Sequence, residues 1–350
     1  MNSTAPLPPL TIAYFGGSIT EGYNASDPAR TSWRALTTVW LQAQLPTREI
    51  REINAAIGGT GSDLGAFRLR RDVLAGKPDV VFVEFAVNDK DAAPERIQRA
   101  LEGIIRAIRR EQPAARIYLV FTLEKSHLPN YQRGELPVSV RLHEQIARHY
   151  GVPCFHLART LVGALAEGRG SWDELFCDEV HPVDAGFAFY AAELQSLLFP
   201  RLSELVTPRT NALPAPMISN AWENGRLIDA WDLAEPGWVK ENESLANRFP
   251  HRLASATPGA ELRLRFHGSA VGVYWLIGPD SGDVEVSLDG GPFGRFSSWD
   301  KYALHFTRAN YTLFAEDLPS GEHELILRVH PERAAQATGN WVRIGAFLGA

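Results

Sequence analysis

The sequence predicts two domains of different class, an α/β domain with a parallel sheet covered on both faces and then an all-β sandwich of jelly-roll type. Three observations carry this. About the first 200 residues alternate short apolar runs with helix-period stretches, the signature of successive βα units. After about Val206 the period drops to two, with Gly, Pro and Asp turns between the runs. And 350 residues exceed one ordinary domain.

The strands of the first part are "LTIAYFG" from Leu10, "EINAAI" from Glu52, "DVVFVEFA" from Asp79, "RIYLVFT" from Arg116 and "VPCFHLA" from Val152. Their Val, Ile and Phe content without strict alternation suits strands buried on both faces. Between them, Ile97, Leu101, Ile104, Ile105 and Ile108 share one helical face. "TPRTNALPAPM" is a Pro-bearing linker, so residues 1–206 form the first domain, 207–220 the linker and 221–350 the sandwich. In the sandwich, "ELRLRFHG" sets Leu262, Leu264 and Phe266 against Arg263 and Arg265. "DVEVSLDGG", "GEHELILRVH" and "NWVRIGAFL" continue the alternation. Trp222, Trp231, Trp238, Trp275, Trp299 and Trp341 fall here. A sandwich core accounts for such residues, and stacking on sugar rings is their functional alternative.

Composition narrows the function. A hydrophobic content of 45% with 22% charged residues is that of a globular protein. A net charge of −6 argues against nucleic acid as a partner. The basic runs at Arg68–Arg71 and ending at Arg110 read as solvated helix faces. Two cysteines, Cys154 and Cys177, supply neither a disulfide framework nor a four-cysteine metal site, and two buried thiols are expected. No run reaches membrane-spanning length and no signal peptide is visible, so a cytoplasmic protein without a membrane partner is expected. The oligomeric state stays open.

In an open parallel sheet, ligands bind beyond the carboxyl ends of the strands. There the sequence gathers Gly16-Gly17-Ser18 after the first strand, "NAAIGGTGS" after the second and "AVND" after the third. "CDEVHP", with Asp178 and His181, follows later. A serine hydroxyl needs an imidazole within hydrogen-bond reach to become a nucleophile. His181 can take that proton and return it to the leaving alcohol, and Asp178 can orient the imidazole. The backbone N–H groups of Ser18 and Gly59 and the Asn88 amide are the candidate oxyanion donors. Read alone, Ser18 is instead a helix N-cap with Glu21 completing a capping box. Asp89 reads as structural. "GGTGSDLG" fails as a dinucleotide fingerprint, because Leu64 stands where the third glycine belongs.

"GGSIT" around Ser18, Gly59 in "AIGGTGS", Asn88 in "AVND" and "DEVH" from Asp178 to His181 resemble the four blocks of the SGNH (GDSL-type) hydrolase family, in its order and roughly its spacing. The resemblance covers about the first 200 residues. It implies a flavodoxin-like three-layer α/β/α domain, a Ser-His-Asp triad working without metal or organic cofactor, and hydrolysis of esters or acyl transfer. Carried over by residue, Ser18 is the nucleophile, His181 the base and Asp178 its partner, with Ser18, Gly59 and Asn88 as the oxyanion hole. Two positions depart from the family's pattern: Gly17 replaces its aspartate and Ala86 its glycine. The expected activity is cleavage of a short acyl ester, acetyl above others, from a small-molecule or oligosaccharide substrate. An acyltransferase to a sugar, a thioesterase or lysophospholipase, and a non-catalytic carbohydrate-binding protein are the alternatives.

Overall fold

The computed structural model describes residues 7–207, 209–245 and 248–350, and the chain divides into two compact units between Glu223 and Asn224. In the first unit, strands β1 (Leu10–Gly16), β2 (Ile50–Asn54), β3 (Val80–Glu84), β4 (Arg116–Val120) and β5 (Cys154–Phe155) form one parallel sheet in the order β2-β1-β3-β4-β5. Its helices are α1 (Ser18–Glu21), α2 (Trp33–Gln44), α3 (Ser62–Asp72), α4 (Pro94–Glu111), α5 (Leu128–Gln132), α6 (Val138–Tyr150), α7 (Leu157–Ala166), α8 (Trp172–Leu175), α9 (Asp184–Leu198) and α10 (Leu202–Val206). The chain leaves β1 toward β2 and returns on the other side for β3. The connections after β1 and β3 therefore part, opening a crevice at the carboxyl ends of these strands.

Register explains why these strands stack as they do. Tyr14 pairs with Phe82 and Phe82 with Tyr118, so their rings align on one face of the sheet. Tyr14 and Phe82 stack at 5.3 Å, Phe82 and Tyr118 at 5.5 Å, and Tyr118 and Phe155 at 5.1 Å. Residues of α2, α7 and α9, among them Trp33, Leu161 and Tyr190, complete this core. On the other face α4 lies between α3 and α6. The stripe expected from Ile97 to Ile108 is buried there, and Pro94 starts the helix where its missing N–H is harmless.

The two basic runs lie only partly on solvated faces, where Arg71 and Arg110 are exposed. Arg68, Arg106 and Arg109 are buried, each held by acceptors that offset its loss of hydration. Arg106 donates to Glu223 (2.6 Å), the Tyr150 hydroxyl (3.0 Å) and the Pro214 carbonyl (2.8 Å), and Arg109 to the Ala212 carbonyl (2.7 Å). The segment read as a linker thus runs along the first unit. Glu102 of α4 accepts from the Met217 (2.5 Å), Ile218 (2.8 Å) and Ser219 (2.8 Å) N–H groups, and Trp222 is buried against Phe67 at 5.2 Å.

The second unit is all-β. One antiparallel sheet joins β13 (Arg308–Ala315), β10 (Val271–Ile277), β15 (Val342–Gly349), β8 (Arg252–Ser255) and β7 (Val239–Glu241), with β6 (Arg226–Asp229) also on β15. The other runs β12 (Gly294–Ser297), β11 (Asp283–Leu288), β14 (Gly321–Val329), β9 (Glu261–Gly268). Inward residues of both sheets, such as Leu264, Val273, Leu327 and Ile344, share one core. Trp238 and Trp275 are buried, while Trp231, Trp299 and Trp341 are half-buried. The expectation of two buried thiols is corrected: both cysteines are free, Cys154 half-buried and Cys177 exposed. Among the described residues, no helix is long and apolar enough to cross a membrane.

Candidate active site

β1 ends at Gly16, opposite Glu84 of β3, and the chain turns at once into α1. A β-carbon on residue 16 would lie 2.5 Å from Thr20 Oγ1 and 2.6 Å from the Glu84 carbonyl oxygen. Only glycine allows that approach. On residue 17 a β-carbon would meet Asn88 Oδ1 at 2.1 Å. The departure from Asp to Gly at position 17 therefore leaves the space that the Asn88 carboxamide fills. Gly17, not Ser18, caps α1, and Ser18 is its first helical residue. Glu21 forms no capping box either; its carboxylate accepts the Gly58 N–H at 2.8 Å.

The loop after β2 comes to the same place. A β-carbon on residue 58 would stand 3.4 Å from Ser18 Cβ. Gly59 adopts φ +73°, in the left-handed region, with open space on the side a β-carbon would occupy. This loop is pinned by the Ile57 N–H on the Gly16 carbonyl (3.0 Å) and by Arg68, which donates to the Gly16 (3.0 Å) and Ala55 carbonyls. The Arg68 guanidinium also lies 4.5 Å above the Phe15 ring. Asp89 accepts the Ser62 N–H at the start of α3 and lies 2.8 Å from His143 Nε2. It is thus bonded within the scaffold beneath the rim, as its structural reading expects.

Below Ser18 sits a carboxyl group that no motif marks. Glu84 is fully buried and accepts from Thr20 of α1 (2.8 Å) and from Thr122 after β4 (2.9 Å). Burial pushes it up to about 7, against the two threonine hydrogen bonds, and the nearby Asp89 charge adds to the rise.

His181 stands on the turn between α8 and α9. Asp178 Oδ1 accepts the Val180 (2.7 Å) and His181 (2.6 Å) N–H groups, closing a tight turn. Its Oδ2 is 2.8 Å from His181 Nδ1, and His181 Nε2 is 2.8 Å from Ser18 Oγ. Burial opposes ionisation of Asp178, but its hydrogen bonds from His181 and Val180 outweigh this and hold it below the usual carboxylate range. The carboxylate, imidazole and hydroxyl form one chain able to move a proton off Ser18. The structure thus brings Ser18, His181, Asp178, Asn88 and the Gly58–Gly59 turn to one rim. The Glu21 contact with Gly58, and the parts that Arg68 and Glu84 play, escape motif reading. Arg68 stands one turn beyond Leu64 on the apolar stripe of its helix, and Glu84 interrupts an apolar run, which are the signals available.

The model of the GDSL-like lipase/acylhydrolase family matches residues 14–189, about half of the chain. No curated protein sequence matches the chain. Among solved structures it is similar to a two-domain esterase active on acetylated mannans, at 24% identity and a TM-score of 0.82 over 98% of this chain and 91% of that one. It is also similar to a two-domain esterase active on acetylated mannans co-crystallized with mannopentaose, at 24% identity and a TM-score of 0.81 over 98% and 90%. At this identity the likeness is one of fold.

Proposed function

This chain belongs to the GDSL-like lipase/acylhydrolase family, and from that premise we propose that it is a serine esterase releasing acetyl groups from a carbohydrate. The observation that carries the reading is the 2.8 Å and 2.8 Å relay from Ser18 through His181 to Asp178, set where the Gly58–Gly59 turn and Asn88 close in. His181 Nε2 takes the Ser18 proton as Oγ attacks the ester carbon. The oxygen that gains charge is stabilised by the Ser18 and Gly59 N–H groups and the Asn88 amide. Collapse breaks the C–O bond, His181 protonates the departing sugar oxygen to give the free hydroxyl, and Ser18 holds the acyl group. Water, deprotonated by His181, then releases acetate and restores the hydroxyl. The acetyl group and the sugar are supported by the solved esterase active on acetylated mannans.

Initial rates on p-nitrophenyl acetate, butyrate and octanoate test this, with Ser18→Ala beside the parent. Turnover should fall with chain length, and Ser18→Ala should lose about 10³-fold or more. A preference for octanoate would move the substrate to lipids. An inert parent, or a mutant equal to it, would remove the mechanism.

A further inference from the structure

In-plane hydrogen bonds to both ring nitrogens aim His181, but they do not stop its ring from tilting about the line that joins them. That restraint has to come from a contact on the ring itself. The Asp178–His181 turn is exposed: the Asp178 side chain is 47% accessible and that of His181 21%. The contact is supplied by Tyr23, whose ring centroid lies 4.7 Å from that of His181 in an edge-on arrangement of 62°. Tyr23 is itself 55% exposed and so contributes little to the core.

The chain around Tyr23 is fastened to the His181 turn at more than one point. The Tyr23 N–H donates to the Ser18 carbonyl at 3.0 Å, which ties the residue to the nucleophile's own helix. Asn24, at φ +69°, donates from Nδ2 to Cys177 Sγ at 2.8 Å. Asp184, the first residue of α9, accepts the Ser26 N–H (2.9 Å), the Ser26 hydroxyl and the Thr31 hydroxyl (2.9 Å). The stretch 23–31 is thereby attached on both sides of His181, at Cys177 and at Asp184.

We propose that Tyr23 is a positioning residue for His181, holding the imidazole in the plane that joins Ser18 Oγ to Asp178, with Asp184 setting where Tyr23 stands. This rests on the esterase reading for its kinetics but not for its geometry. Because the ring does the holding, Tyr23→Phe retains kcat. Tyr23→Ala lowers kcat about tenfold, the scale of a misaimed catalytic group, with KM unchanged and with the same loss on methyl acetate as on p-nitrophenyl acetate. Asp184→Ala gives a smaller loss of the same kind. The second readout is the low-field proton signal of an Nδ1–H held by a carboxylate, sharp in the parent and in Tyr23→Phe, and broadened in Tyr23→Ala.

A loss confined to KM, or to the aromatic ester, would make Tyr23 a substrate wall and overturn the proposal. Unchanged kcat would overturn it as well. If the parent turns over neither ester, the esterase reading fails while the proton signal still decides this one: sharp in Tyr23→Ala, the proposal is wrong.

Discussion

Ser18 stands on a turn closed in by the ends of three strands, whereas His181, 2.8 Å away, stands on a surface turn held by hydrogen bonds. Around Ser18 the restraint is steric. Gly16 and Gly17 have no room for a β-carbon, Ile19 and Thr20 are buried, and Glu84 fixes Thr20 from below. Around His181 it is directional, with Asp178 spending one oxygen on the backbone of its own turn and the other on the imidazole. The proposed nucleophile is thus placed by the sheet, and the proposed base by local bonds that water can reach. Damage to the first region should register in stability or in geometry under compression, and damage to the second in catalysis with the fold intact.

Asp178→Asn presses hardest on that difference. Oδ1 can keep its two N–H donors, so the amide nitrogen falls opposite Nδ1. It donates there and forces the proton onto Nε2, which then cannot accept from Ser18. We expect a fall in kcat on the order of 10³-fold, with the unfolding midpoint nearly unchanged; a stability loss matching the rate loss would show that this turn, too, holds the fold.

Glu84→Gln tests the buried side. The Glu84 carboxyl is raised in the folded state from 4.5 to about 7. Between these values the folded chain keeps a proton that the unfolded chain releases. Its contribution to stability is therefore full below pH 4.5 and lost as pH rises toward 7. A shift of that size corresponds to roughly 3 kcal/mol. Urea unfolding at pH 5 and pH 8 should show this loss in the parent and a flatter profile in the Gln variant. Equal slopes would mean that Glu84 does not titrate in that window.

Two glycines sharpen the contrast further. Gly17→Ala meets the Asn88 carboxamide at 2.1 Å. That side chain can swing away, so stability should change little while kcat falls about tenfold through the displaced donor, a partial form of the loss from removing one. Gly59→Ala meets nothing, but its φ of +73° disfavours a side chain. We expect about 1 kcal/mol of destabilisation, read by denaturant unfolding. A tenfold larger rate effect at position 59 than at 17 would reverse this ranking.

Much of the fold is legible locally. β1 and β9 coincide with the runs read from residues alone, Leu10–Gly16 and Glu261–Gly268, because burial on two faces or on one leaves a direct mark in period. β10 was harder. "VGVYWLI" is buried throughout, so it shows no alternation to distinguish it. At the site, "GGSIT", "AVND" and "DEVH" are visible because each is a short contiguous block. Tyr23 and Asp184 are not, since nothing in either's neighbourhood signals the 158 positions between Ser26 and Asp184 that their hydrogen bond closes.

The sequence by itself determined the two fold classes, the order of the strands along the chain and the five residues to examine, since periodicity and turn chemistry act over a few neighbours. Tertiary structure alone decided which charges are buried and what they hold. Arg68 is an arginine on an apolar stripe with no visible partner until the Gly16 and Ala55 carbonyls are brought to it, and Glu84 is an isolated acid until Thr20 and Thr122 meet over it. The physical reason is that hydrating a charge needs only water, whereas burying one requires partners that folding alone assembles.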